Sequence, residues 1–150
     1  MPTIHSTVNT MTEIAFIAKA RYGDPYNEVE VDAVFTGPKG EKITVPAFWA
    51  GDSLWKVRFA APSRGTWRYV TSCSNADDDG LHGQKGEVVA EAYRGKNPLL
   101  VHGRVRVSKN RRYLEHADGM PFFWLADTWW MGLTKRMAWP HEFQMLAADR

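Results

Sequence analysis

Asp127, Trp129 and Trp130 are the residues of this sequence whose types and spacing are best suited to chemistry. They follow directly after the apolar run 121–126, where a buried strand would lead into a loop. A carboxylate there could accept hydrogen bonds from sugar hydroxyls, and an indole ring could cover the apolar face of a pyranose. The alternative is structural: Asp127 caps the turn or pairs with Arg136, and the tryptophans pack. Both interpretations stay open.

Hydrolysis of a glycosidic bond would require a second carboxyl group, because one acts as acid and the other as base or nucleophile. The three consecutive aspartates 77–79 do not supply it, since an acidic, glycine-flanked stretch predicts a solvated turn or at most a weak calcium site. Glu115 and Asp118 flank another turn and are expected on the surface. We therefore expect no catalytic carboxylate within the chain, and the catalytic pair beyond residue 150.

Metal and cofactor chemistry has no support in the sequence. The five histidines are dispersed, and no HExxH or comparable ligand spacing occurs. His116 beside Asp118 predicts a hydrogen-bonded turn pair rather than a ligand. Cys73 is the only cysteine and continues an apolar strand face, so it is expected to be a small buried residue. We expect neither a metal nor a cofactor.

Phe48 and Trp49 form a second candidate site. Neighbours in a strand point to opposite faces, so both rings cannot enter the same core. One of them is either exposed for stacking against a sugar or covered by another domain. An exposed aromatic patch usually marks a partner, which favours an interdomain contact.

Charge and hydropathy exclude two classes of partner. The net charge is +2, and the basic run 104–112 predicts a solvated strand end and turn, so nucleic-acid binding is not expected. No apolar stretch reaches the roughly 18 residues of a membrane span. The opening MPTIHSTVNTMTE lacks the basic and apolar regions of a signal peptide, which makes the cytoplasm the default expectation, with secretion or a periplasmic location left open.

Residues 12–93 show the period-two alternation of antiparallel strands. Six short strands separated by turns predict a mainly β fold, an immunoglobulin-like β-sandwich. One of these strands spans residues 43–49. The predicted core residues are Phe16, Val31, Phe35, Trp55, Val57, Phe59, Trp67 and Tyr69.

The flanking segments differ from this pattern. Residues 1–11 are predicted to be disordered, and residues 94–120 to form a linker and a β-hairpin whose first extended element includes 99–101. The apolar run 121–126 predicts a strand buried on both faces, and Pro140 opens a helical pattern. One strand and one helix cannot bury their faces alone, so residues 121–150 predict the start of a truncated (β/α)8 barrel.

Several stretches of the sequence resemble bacterial proteins of one arrangement. They are "NEVEVDAVFTGPKG", "VPAFWAGDSLWKVRFAAPSRGTWRY", "LHGQKGEVV" and "RRYLEHADGMPFFWLADTWWMGL", of which "HADGMPFFWLADTWW" is the most specific. In those proteins a β-sandwich of unknown function precedes an apiosidase-like glycoside hydrolase domain, once labelled collagen-binding. The resemblance covers roughly residues 12–150.

The resemblance implies an accessory sandwich joined to a barrel that cleaves glycosidic bonds in plant-type polysaccharides. Asp127 and the neighbouring tryptophans would contact the carbohydrate substrate, and the partner of the sandwich would be the C-terminal catalytic barrel. Two other functions remain open. The sandwich could be a non-catalytic carbohydrate-binding or adhesive module, or a purely structural support.

Overall fold

The fold is mainly β, and the computed structural model describes residues 1–126 and residue 128. The two helices are single turns, α1 (Pro25–Glu28) and α2 (Pro98–Val101). The strands are β1 (Thr3–Thr7), β2 (Met11–Ile17), β3 (Val31–Thr36), β4 (Lys42–Pro46), β5 (Phe48–Trp49), β6 (Leu54–Ala60), β7 (Gly65–Cys73), β8 (Lys85–Glu91), β9 (Val105–Val107), β10 (Leu114–His116) and β11 (Pro121–Phe122).

The described strands form three sheets. A five-stranded sheet has the order β1-β8-β7-β3-β4, and a three-stranded sheet has the order β2-β6-β5. A small third sheet, β11-β10-β9, follows them in the chain. All described strand pairs are antiparallel except β1 with β8.

The first two sheets pack face to face through aromatic side chains. Phe35 of β3 stacks on Phe59 of β6, with ring centroids 3.8 Å apart and planes inclined by 5°. Tyr69 and Trp67 of β7 each contact one of these rings. Such pairs add about 0.5–1.5 kcal/mol each beyond the burial of their area. All eight predicted core residues are buried, because alternation places them on the inner faces of the two sheets.

The strand predicted over residues 43–49 is divided between the two sheets. β4 ends at Pro46, and the N–H of the next residue, Ala47, makes one more bond of 2.7 Å to the carbonyl of Val31 in β3. The chain then crosses the edge of the sandwich, and β5 pairs with β6 in the opposite sheet. Period-two alternation continues through such a crossing, so the pattern alone could not reveal it.

The prediction of disorder for residues 1–11 is wrong. β1 lies parallel to β8, and Val8 continues the contact by donating its N–H to the carbonyl of Glu91 at 2.8 Å. The segment TIHST alternates only weakly in hydropathy, because it is an edge strand that contributes little to the core. Its backbone hydrogen bonds, which composition does not reveal, hold it in place.

Residues 98–101 form α2 instead of the predicted extended element. Asn97 accepts a hydrogen bond at 3.0 Å from the N–H of Leu99, and Pro98 occupies the first helical position. Both are standard signals of a helix start. β9 and β10 then pair as an antiparallel hairpin.

Residues 121–126 differ from the doubly buried parallel strand that their apolar run predicts. Pro121–Phe122 pair antiparallel with β10, and Phe123, Trp124 and Leu125 are largely exposed. An apolar run indicates that a segment tends to be buried, but it does not indicate which element packs against it. The helix predicted from Pro140 lies outside the described residues.

Candidate functional site

The residues best suited to chemistry by sequence, Asp127, Trp129 and Trp130, lie outside the described residues. The second candidate pair, Phe48 and Trp49, lies within them. Together with the loops around it, this pair defines the candidate site of the described part of the chain.

β5 turns its two aromatic rings to opposite sides. Trp49 stands opposite Trp55 of β6 and shares its inner face, whereas Phe48 stands opposite Lys56 on the outer face. The two side chains are almost equally exposed, 37% for Phe48 and 38% for Trp49. The sandwich itself therefore covers the two rings to the same extent.

Each ring is held by one polar contact. The indole Nε1 of Trp49 donates a hydrogen bond of 2.8 Å to the carbonyl of Asp52. Asp52 has a φ of 48° and Gly51 a φ of 105°, and this left-handed turn brings the carbonyl under the indole. The guanidinium of Arg58 lies over the Phe48 ring, 4.9 Å from its centroid. Contacts within the sandwich thus fix both rings.

A groove of about 360 Å³ runs along the edge of the sandwich between α1, β3 and β5. Its lining includes the aromatic residues Tyr26, Trp49 and Trp55 and the acidic residues Glu30 and Asp32. Tyr26, Glu30 and Asp32 are exposed, so the groove has an acidic and aromatic rim above an apolar floor. Sequence reasoning missed these three residues, although Glu30 and Asp32 occupy the polar face of a strand that it did predict.

Trp55 forms part of the groove wall and carries a buried donor. The side chain is only 3% exposed, and its Nε1–H has no hydrogen-bond acceptor among the described residues. Buried polar groups in native proteins are nearly always paired. This N–H is itself enclosed, so Trp55 contributes its ring and not its donor to the groove wall.

The acidic stretch 77–79 is not the uniformly solvated turn that its composition predicts. Asp78 is fully buried, and its carboxylate accepts hydrogen bonds from the N–H groups of Lys19, Ala20 and Gly80 at 3.0, 3.2 and 3.0 Å. The hydroxyl of Tyr22 donates a fourth at 2.8 Å. Burial by itself raises the pKa of Asp78, but these donors outweigh it and hold the pKa below its ordinary value. Asp78 thus ties two loops together.

The predicted pair of His116 and Asp118 is also wrong. Asp118 pairs instead with His102, whose Nδ1 lies 2.7 Å from the carboxylate, while Nδ1 of buried His116 lies 2.7 Å from the carbonyl of Gly103. The hydrogen bond to His102, helped by the N–H of Met120, lowers the pKa of Asp118. These contacts join α2 to the hairpin, so their role is structural.

The expected burial of Cys73 is confirmed, and burial raises the pKa of its thiol. Within residues 1–126, histidine, cysteine and acidic side chains form no group of three that could hold a metal ion. No helix in the described part of the chain has the length and apolar character needed to cross a membrane.

Two family models match successive parts of the chain. Residues 7–74 match DUF5060, a domain of unknown function. Residues 108–150 match the apiosidase-like catalytic domain. The resemblance inferred from the sequence is confirmed. Asp127, Trp129 and Trp130 thus lie within an apiosidase-like segment, and the groove beside Trp49 lies within the DUF5060 segment.

The structure is similar to a crystal structure described as a "putative glycoside hydrolase" from Bacteroides vulgatus ATCC 8482. The two share 29% sequence identity with a TM-score of 0.64, over 80% of this chain and 21% of that one. The chain therefore spans about a fifth of the length of this relative. No curated protein matches the chain.

Proposed function

We propose that this chain is the N-terminal part of a glycoside hydrolase that acts on plant-type polysaccharides, with the sandwich as an accessory domain that packs against the catalytic barrel. The match of residues 108–150 to the apiosidase-like catalytic domain carries the proposal. The similarity to a solved protein described as a glycoside hydrolase supports it.

Exposed apolar side chains support the packing of the sandwich region against a further domain. Val107 and Tyr113 of the hairpin and Phe123, Trp124 and Leu125 after it are all exposed. Several large exposed apolar side chains within one segment are typical of an interface. It lies in and beside the apiosidase-like segment, where a catalytic barrel would cover it.

The link between the sandwich and this segment is already ordered. Nδ2 of Asn9 donates a hydrogen bond of 2.9 Å to the carbonyl of Leu100 in α2, and the N–H of Asn9 donates to the carbonyl of Ala61 at the end of β6. A linker fixed at one end would hold the sandwich in a defined position beside the barrel.

Asp127, Trp129 and Trp130 are proposed as substrate contacts. The carboxylate would accept hydrogen bonds from sugar hydroxyls and the indoles would cover the apolar face of the ring. The two carboxyl groups that exchange protons or attack the anomeric carbon would come from other parts of the catalytic domain.

The test compares the chain of 150 residues with the protein that contains its complete catalytic domain, on a panel of plant glycans. We expect hydrolysis by the longer protein and none by the chain. Asp127→Asn in the longer protein should lower kcat/KM by at least about tenfold, the loss that follows from one hydrogen bond of about 1.4 kcal/mol to the transition state. Asp77→Asn, an exposed control, should leave it unchanged. Hydrolysis by the chain, or an inactive longer protein, would contradict the proposal.

A further inference from the structure

We infer that the groove beside Trp49 is a second glycan-binding site, separate from the catalytic centre, and that it selects neutral over acidic sugar chains. The choice of a glycan as ligand rests on the proposed function. The selectivity, the location and the residues come from the groove itself.

The aromatic residues of the groove suit a sugar ring. The hydrogen bond from Nε1 of Trp49 to Asp52 fixes the indole, so little side-chain entropy would be lost on binding. Tyr26, 77% exposed, stands at the other side of the groove on α1. At about 360 Å³ the groove reaches the lower end of the volumes of known small-molecule sites, which is room for one or two sugar rings.

The acidic residues determine which sugars fit. Glu30 directly precedes β3 and Asp32 is its second residue, and both are exposed. None of the ion pairs in the described part of the chain includes either carboxylate. Ionised carboxylates only accept hydrogen bonds, which hydroxyl groups can donate. A uronic acid would instead bring a third negative charge beside these two.

The groove and the linker to the apiosidase-like segment lie at opposite ends of β6. β5 pairs with the start of β6, at Trp55 and Lys56, whereas Asn9 and α2 meet the other end of β6, near Ala61. A strand rises about 3.3 Å per residue, so these ends lie roughly 15–20 Å apart. The linker to the apiosidase-like segment therefore leaves the sandwich at the end away from the groove.

The experiment titrates the 150-residue chain with cellotetraose, xylotetraose and tetragalacturonate and follows binding by calorimetry. We expect saturable binding of at least one neutral tetrasaccharide, and affinity for tetragalacturonate at least tenfold weaker. Trp49→Ala and Tyr26→Ala should each weaken neutral binding at least tenfold. Val70→Ala, which removes an exposed apolar side chain of the sandwich that does not line the groove, serves as the control and should change nothing.

Charge removal tests the selectivity separately. The double variant Glu30→Gln, Asp32→Asn should lower the preference for neutral sugars, because the repulsion of uronates disappears. Absence of neutral binding, binding that survives both aromatic substitutions, or a preference for tetragalacturonate would overturn the inference. Tyr26 is so exposed that its replacement cannot unfold the core, which keeps the test decisive if Trp49→Ala is unstable. Hydrolysis by the longer protein is measured apart from this titration, so the two proposals can fail independently.

Discussion

Replacement of Asp78 should destabilise the protein more than any other change of a charged residue in its acidic stretch. Its buried carboxylate receives four hydrogen bonds, three of them from backbone N–H groups of the loops at 19–20 and 80. Asp78→Ala would leave these donors without an acceptor in the interior. Each buried donor left unpaired costs about 1–3 kcal/mol, and relaxation prevents full additivity, so we expect a loss of about 3–5 kcal/mol.

Gly80 shows how tightly this loop is packed. A Cβ atom at this position would lie 2.1 Å from the carbonyl oxygen of Ile17, so only glycine allows the two backbones to approach. The N–H of Gly80 is then directed at the carboxylate of Asp78. A loop so confined cannot move far enough to find its donors new partners, which keeps the expected loss large.

The contribution of Asp78 should also appear in the pH dependence of the free energy of unfolding. The pKa of Asp78 is lower in the folded protein than its ordinary value, so the unfolded chain binds the proton more tightly. Its contribution is complete above the unfolded pKa of about 3.9 and is lost as the pH falls through the lower folded pKa. Acid sensitivity below about pH 4 should therefore be smaller in Asp78→Asn than in the parent protein.

Urea unfolding followed by tryptophan fluorescence measures both effects. The free energy of unfolding at pH 7 should fall by about 3–5 kcal/mol in Asp78→Ala. Asp77→Ala and Asp79→Ala are matched controls: both side chains are exposed, and Asp79 makes only a surface ion pair with Lys19 at 2.9 Å, so each should change stability by less than about 1 kcal/mol. Equal losses in all three variants would refute the assignment of a special role to Asp78.

Three further predictions concern the same fold. Tyr22→Phe removes the hydroxyl that bridges Asp78 and Asn75 and should cost about 1–2 kcal/mol in urea unfolding. Phe35→Ala removes one ring of the stacked pair between the sheets and should cost about 3–5 kcal/mol, with Phe35→Leu as the milder variant if the first fails to fold. Deletion of residues 2–7 exposes the edge of β8, and we expect a lower unfolding temperature and concentration-dependent association by light scattering.

The sandwich core could be predicted from sequence because alternation encodes it directly. Phe35 and Phe59 occupy inner positions of strands that are polar on their other face, so their burial follows from period two alone. The hydropathy pattern does not indicate which strands pair with one another. The crossing after Pro46 and the parallel pairing of β1 depend on backbone hydrogen bonds between distant segments, which leave little trace in local hydropathy.

The candidate site was harder to predict for a related reason. Phe48 and Trp49 stood out because two adjacent aromatic residues cannot share one core face. Glu30 and Asp32 did not stand out, since exposed acids on a strand are ordinary, and only the turn of α1 and the crossing into β5 bring them beside an aromatic wall. Asp78 was misjudged because composition cannot distinguish a buried acid that backbone donors surround from its exposed neighbours.

Four tryptophans show why residue type alone does not assign a role in this chain. Trp67 is fully buried and donates its indole N–H to the carbonyl of Ser63, so its role is structural. Trp55 is almost as enclosed as Trp67, Trp49 is 38% exposed and its N–H is hydrogen-bonded, and Trp124 is 70% exposed within the apiosidase-like segment. Among these four tryptophans, Trp67 is a core residue, Trp55 and Trp49 line the groove, and Trp124 is largely exposed. The opposite sheet covers Trp67, Trp55 packs in the wall of the groove, Trp49 is the ring that we propose stacks against a sugar, and Trp124 is the one that we propose another domain covers.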